Sequence, residues 1–157
     1  MAELELRRTA EDRRLYALEG VGTLRLEGLG GRMATAEAGG ESWHITRRGF
    51  WRRVLQATDR AEEVVGEFQS RGMRRGGALH WAGRELALRP ASRWRERYAL
   101  ADGDRELAVF DGRGWGRRPV RVSVDDAAAV EPGLVLFAAF VVRGLAADAS
   151  GAAAADT

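Results

Sequence analysis

The chain has 157 residues, with 25 basic residues that are all arginine, 23 acidic residues, no cysteine and a formal net charge of +2. That length buries a core without staples, and the lack of cysteine excludes disulfides, thiolate metal sites and a cysteine nucleophile. A near-neutral balance falls short of the excess a nucleic-acid binder usually carries, and a lysine-free chain has no Walker lysine.

Residues 1–6 alternate and carry acids, with no basic or apolar leader, so no secretory signal is expected and a cytoplasmic location is. Short period-two runs follow. Leu4 and Leu6 alternate with Glu5 and Arg7, and Leu24 and Leu26 with Arg25 and Glu27. Trp43 and Ile45 lie opposite His44 and Thr46; Val64, Gly66 and Phe68 lie opposite Val65 and Glu67. Leu86 and Leu88 continue the pattern, and Val120, Val122 and Val124 around Arg121 and Ser123 give its cleanest case. Each run reads as an antiparallel strand with one wet face. Turn signals separate them at Gly20, Gly30-Gly31, Gly39-Gly40, Gly49, Ala82-Gly83 and Asp102-Gly103-Asp104, and residues 93–101 and 105–111 make the clearest hairpin. About twelve strands at this spacing predict a closed antiparallel β-barrel.

Arg48-Gly49-Phe50-Trp51-Arg52-Arg53 resembles Arg113-Gly114-Trp115-Gly116-Arg117-Arg118, as two similar halves of a barrel would. The period then changes. Glu131-Pro132 opens a run in which every residue from Leu134 to Val142 is apolar, with Arg143 after it. Proline suits a first helical turn, and a helix apolar on all sides must be buried all round. Residues 131–146 are therefore expected to form a central helix of a single domain, 1–147, with 148–157 as a flexible tail. The run is too short for the roughly 20 residues of a transmembrane span. A helix in the lumen also leaves little room there for a substrate.

Many short strands ending in one apolar helix resemble the tubby C-terminal-like superfamily, in its LURP-one-related and phospholipid-scramblase-like branch. Residues 98–108, 112–118 and 132–145 carry the resemblance. It implies a closed barrel wrapped around a hydrophobic helix, and a family in which phosphoinositide binding through basic strand residues is known. No binding residue can be carried over, and the chain lacks an acidic series with calcium-loop spacing.

Chemistry-bearing constellations are sparse. His44 and His80 stand alone, without metal spacing, and read as polar-face residues; no G-x-S-x-G elbow occurs. The glycines at 112, 114 and 116 precede a strand, not the helix that a dinucleotide fingerprint needs. No catalytic residue, metal or cofactor is expected, and the domain reads as non-enzymatic. Five tryptophans stand often beside arginines; they read as core aromatics, with a stacking or lipid-facing surface as the functional alternative. The candidate anion-binding residues are Arg47, Arg48, Arg52, Arg53, Arg113, Arg117 and Arg118, with Arg71, Arg74 and Arg75 as a further dense patch. If these connections converge at one rim, they form an anion site. The expected role is a binding or scaffold domain engaging acidic phospholipid headgroups or another acidic partner, such as a protein. A nucleic-acid-binding module is the alternative.

Overall fold

The period-two runs become twelve strands: β1 (Ala2–Arg8), β2 (Leu15–Leu18), β3 (Gly22–Glu27), β4 (Met33–Ala38), β5 (Glu41–Arg48), β6 (Val54–Thr58), β7 (Val64–Ser70), β8 (Gly77–Trp81), β9 (Arg84–Pro90), β10 (Arg97–Asp102), β11 (Arg105–Asp111) and β12 (Val120–Val124). A helix, α1 (Pro132–Ala155), ends the chain. The computed structural model describes residues 2–48, 54–71, 76–91, 97–113, 115, 118–126 and 130–155. Every strand pairs antiparallel with its neighbours in sequence, and β1 closes on β12 from Ala2↔Val124 to Leu6↔Val120. Closure removes the free edges that an open sheet would present.

Two-residue connections pin the register at Gly39-Gly40 and Ala82-Gly83. All four residues have positive φ, the combination that matches the twist of a tight hairpin. The β10–β11 hairpin forms between Arg97 and Asp111, while residues 93–96 of its predicted first strand lie outside the described residues. One face assignment fails. Val64 was expected to share a face with Gly66 and Phe68, which are buried, yet it is 52% exposed. A register shift pairs Ala57 with Gly66 but Thr58 with Val64, and the extra residue reverses the alternation there.

The helix fills the barrel. Leu134 to Val142 are buried on every side, meeting inward residues such as Leu6, Leu24, Ile45, Leu79, Leu100 and Phe110. Its closest strands include β3 and β4, and β4 presents Ala34, Ala36 and Ala38 inward, small enough to admit a helix beside the wall. Among the described residues no polar or charged side chain is fully buried. The helix starts where Pro132 implies, with the Val135 N–H bonded to the Glu131 carbonyl at 3.1 Å. It ends later than expected, at Ala155 and not 146, so most of the segment predicted as a tail is helical. Alanine has the highest helix propensity, and residues 146–155 are mostly alanine.

Trp81 locks this helix start to the wall. Its ring lies 5.8 Å from Trp43 and 5.7 Å from Phe137, centroid to centroid, and its indole N–H donates to the Glu131 carboxylate at 2.8 Å. Two glycines make the slot: a Cβ on Gly66 would sit 2.5 Å from the Trp81 ring, and one on Gly133 would sit 2.7 Å from it. No helix of the described residues is long and apolar enough to cross a membrane.

Candidate functional site

An up-and-down barrel sends its connections alternately to two rims. Strands β1, β3, β5, β7, β9 and β11 lead into connections to one rim, whose described residues, from 9–14, 28–32, 71, 76, 91, 112, 113, 115, 118 and 119, hold six arginines and two acidic residues. The described residues of the connections to the other rim, 19–21, 39–40, 59–63, 82–83, 103–104, 125–126 and 130–131, hold one arginine and eight acidic residues. A chain of net charge +2 is therefore a barrel with a basic rim and an acidic rim.

Four of the seven predicted arginines are described, and these fall on the basic rim. Arg47 and Arg48 end β5 and are exposed; Arg113 and Arg118 are exposed in the β11–β12 connection. Arg52, Arg53 and Arg117 lie outside the described residues, as do Arg74 and Arg75. The two groups share a rim but not a patch. Their connections stand six strands apart in a closed ring of twelve, about 25–30 Å along the wall at roughly 4.8 Å per strand. That offset is half the barrel, so the two similar hexapeptides occupy equivalent connections of its two halves. Among the described residues, Arg32, Arg47, Arg48, Arg71 and Arg118 have no carboxylate partner.

Comparison with known proteins finds no match. No family model, no curated protein and no solved structure matches this chain.

At the acidic rim several polar groups are already engaged. A groove of about 420 Å³ is lined by Trp43, Trp81, Asp59, Arg60 and Glu131, among others. Glu131 accepts the Trp81 indole N–H, and Asp59 accepts the backbone N–H groups of Ala61 and Glu63 at 2.9 and 3.0 Å. Arg60 donates to the Ser42 hydroxyl at 3.2 Å. Arg84 lies 3.5 Å from Asp102, and Arg105 lies 3.4 Å from Asp125. These carboxylates build turns and hold the helix start.

The basic rim contains a smaller opening, about 180 Å³, where the helix emerges. Gly30, Gly31, Arg32, Arg47, Leu55, Phe140 and Arg143 line it, among others. Arg143 donates from Nη1 to the Gly31 carbonyl at 3.0 Å and from Nη2 to the Gly30 carbonyl at 3.3 Å. Its guanidinium carbon lies 5.6 Å from the centroid of Trp115, whose ring meets Tyr16 edge-on at 4.9 Å. Burial pushes the Arg143 pKa below the usual arginine value, and Tyr16 opposes that shift. Arg32 and Arg143 were not among the predicted site residues. Each stands apart from the arginine runs, and Arg143 and Gly31, 112 apart in sequence, meet here only because the barrel closes around the helix.

The tryptophans do not form an exposed stacking platform among the described residues. Trp43 and Trp81 are buried near the acidic rim, and Trp115 is half-buried beside Arg143; Trp51 and Trp94 lie outside the described residues. His44 and His80 sit exposed on the outer wall, 3.9 Å from Glu27 and 3.2 Å from Glu85.

Proposed function

We propose that this is a non-enzymatic binding domain that places its basic rim on an anionic phospholipid surface. The observation that carries the reading is the partition of charge between the rims. Strands of about six residues tilted in a barrel separate the rims by roughly 15 Å. At physiological salt the Debye length is about 8 Å, so a surface facing the arginines feels little of the acidic rim. Each arginine near an anionic leaflet contributes about 1 kcal/mol, and a few suffice.

A second feature favours lipid over other polyanions. Leu29 is 90% exposed in the β3–β4 connection, between Gly28 and Gly30, beside the arginine-lined opening. One exposed leucine is unremarkable on its own. On a basic rim it suits the boundary between headgroups and acyl chains. The closed barrel around an apolar C-terminal helix supports, as part of this proposal, membership of the tubby-like, LURP-one-related group.

Vesicle flotation tests the reading. The protein is expected to float with anionic but not neutral vesicles, and to retain part of that binding at physiological salt. Replacing Arg47, Arg48, Arg113 and Arg118 together by glutamate is expected to abolish flotation, whereas Glu62→Gln with Glu63→Gln leaves it unchanged. Binding to an oligonucleotide that outcompetes anionic vesicles would move the assignment to nucleic acid. Flotation that ignores the arginine substitutions would refute the rim as the binding surface.

A further inference from the structure

We infer that the opening between Arg32, Arg47 and Arg143 is a binding site for a phosphate-type oxyanion. The inference deepens the anionic-surface reading and rests on it only for which molecule brings the oxyanion to the site.

Three arginines line this space, and none of its lining residues is acidic. Arginine stays protonated at any physiological pH and presents five N–H donors in a rigid fork. Arg143 commits two nitrogens to the Gly30 and Gly31 carbonyls, and it has no carboxylate partner among the described residues. The carbonyls fix its orientation without neutralising its charge. Gly31 sits at φ +67°, and a Cβ there would lie 3.0 Å from the Arg143 Nη2, so the turn is shaped to the guanidinium. Trp115 covers the same group from another side.

The surroundings favour an acceptor. Trp115 Nε1, on the ring that covers Arg143, is a buried donor without an acceptor among the described residues. Buried N–H groups without partners are costly, so a donor is in surplus beside Arg143. Leu55 and Phe140 supply an apolar wall, which lowers the local dielectric and strengthens a charge-assisted bond. At about 180 Å³ the space is smaller than the roughly 300–1,000 Å³ that encloses drug-sized ligands. It takes a phosphate, sulfate or phosphate headgroup, not an entire nucleotide. The acidic-rim groove lacks this surplus, since Glu41, Asp59 and Glu131 line it and Arg60 is engaged with Ser42.

The test is a titration of the whole chain, labelled with 15N-arginine, with inorganic phosphate at constant ionic strength. The Nε–Hε signals of Arg32, Arg47 and Arg143 are expected to follow one saturable curve that chloride does not reproduce. Arg32→Gln with Arg47→Gln keeps the core intact and is expected to weaken phosphate binding on the order of tenfold or more, one lost charge-assisted bond or two. Arg143→Gln removes the half-buried donor directly and is expected to abolish the saturable response. A linear response, or a double variant that titrates like the parent, would overturn the site. Vesicles of phosphatidylcholine, alone or with phosphatidic acid, separate the sources. Phosphate binding without flotation upholds the site for a free phosphate compound and removes the membrane reading. Flotation with no saturable phosphate response in the parent overturns the site and leaves the membrane reading standing.

Discussion

The two rims of this barrel are made by the same chain rule, alternate connections of one meander, and they are used differently. At the acidic rim several charged groups work inside the structure. Glu131 holds Trp81, Asp59 shapes the β6–β7 turn, and Arg84 and Arg105 lie against Asp102 and Asp125. At the basic rim Arg32, Arg47, Arg48, Arg71 and Arg118 have no carboxylate among the described residues to engage. A charged group that the fold has already used is poor material for recognition, and one left unengaged is available for it. The barrel thus has one end whose carboxylates help to close the core and one where five arginines meet no carboxylate among the described residues.

The largest test attacks what both rims share. Phe137 is fully buried in the helix, between the two ends. Phe137→Asp places a carboxylate in an apolar core at a cost of several kcal/mol, comparable with the 5–15 kcal/mol stability of a domain. Loss of cooperative thermal unfolding is expected, and an unchanged melting curve would remove the helix from the lumen. Next comes the acidic rim alone. Trp81→Ala empties the slot between Gly66 and Gly133 and should cost about 3–5 kcal/mol by chemical denaturation. Leu29→Ser at the basic rim should cost nothing measurable while weakening flotation. Equal stability losses at the two positions would dissolve the contrast between the rims.

A smaller effect is expected at Gly31. Gly31→Ala imposes a positive φ on a residue with a Cβ and presses on the Arg143 guanidinium, for a loss of about 1–2 kcal/mol. The smallest concerns Asp12, in the β1–β2 connection. Its carboxylate accepts the Arg14 backbone N–H at 2.9 Å and pairs with the Arg25 side chain. The Arg14 hydrogen bond first, and Arg25 second, hold its pKa below the ordinary aspartate value. A lowered native pKa gives a contribution that is complete above the unfolded pKa and lost as pH falls through the native one. The Asp12 carboxyl carbon signal should therefore titrate below that of a model aspartate, and in Arg25→Gln it should move partway back.

Much of this was readable in the residues, because much of it is local. Alternation such as Val120, Val122 and Val124 exposes a strand, and nine successive apolar residues from Leu134 require a buried helix. Two local readings failed for identifiable reasons. The bulge opposite Thr58 turned Val64 outward, which no period reveals, and an alanine-rich end carried the helix to Ala155. The rims were not readable. Whether two arginine runs share an end of the barrel depends on the parity of the strands between them, and a single miscounted strand inverts it. Arg32 and Arg143 carry no run to notice, and only closure of β1 on β12 around the helix fixes what lies beside the Gly30-Gly31 turn.

The absence of cysteine permits the most direct measurement, because a single introduced thiol is the only one in the chain. An environment-sensitive fluorophore at Leu29→Cys reports on the basic rim, and the same label at Ala61→Cys, also exposed, reports on the acidic rim. With anionic vesicles a blue-shifted, brighter emission is expected from position 29 and none from position 61. The same response at both positions, or at neither while the protein floats, would contradict a barrel that meets its partner by the arginine rim.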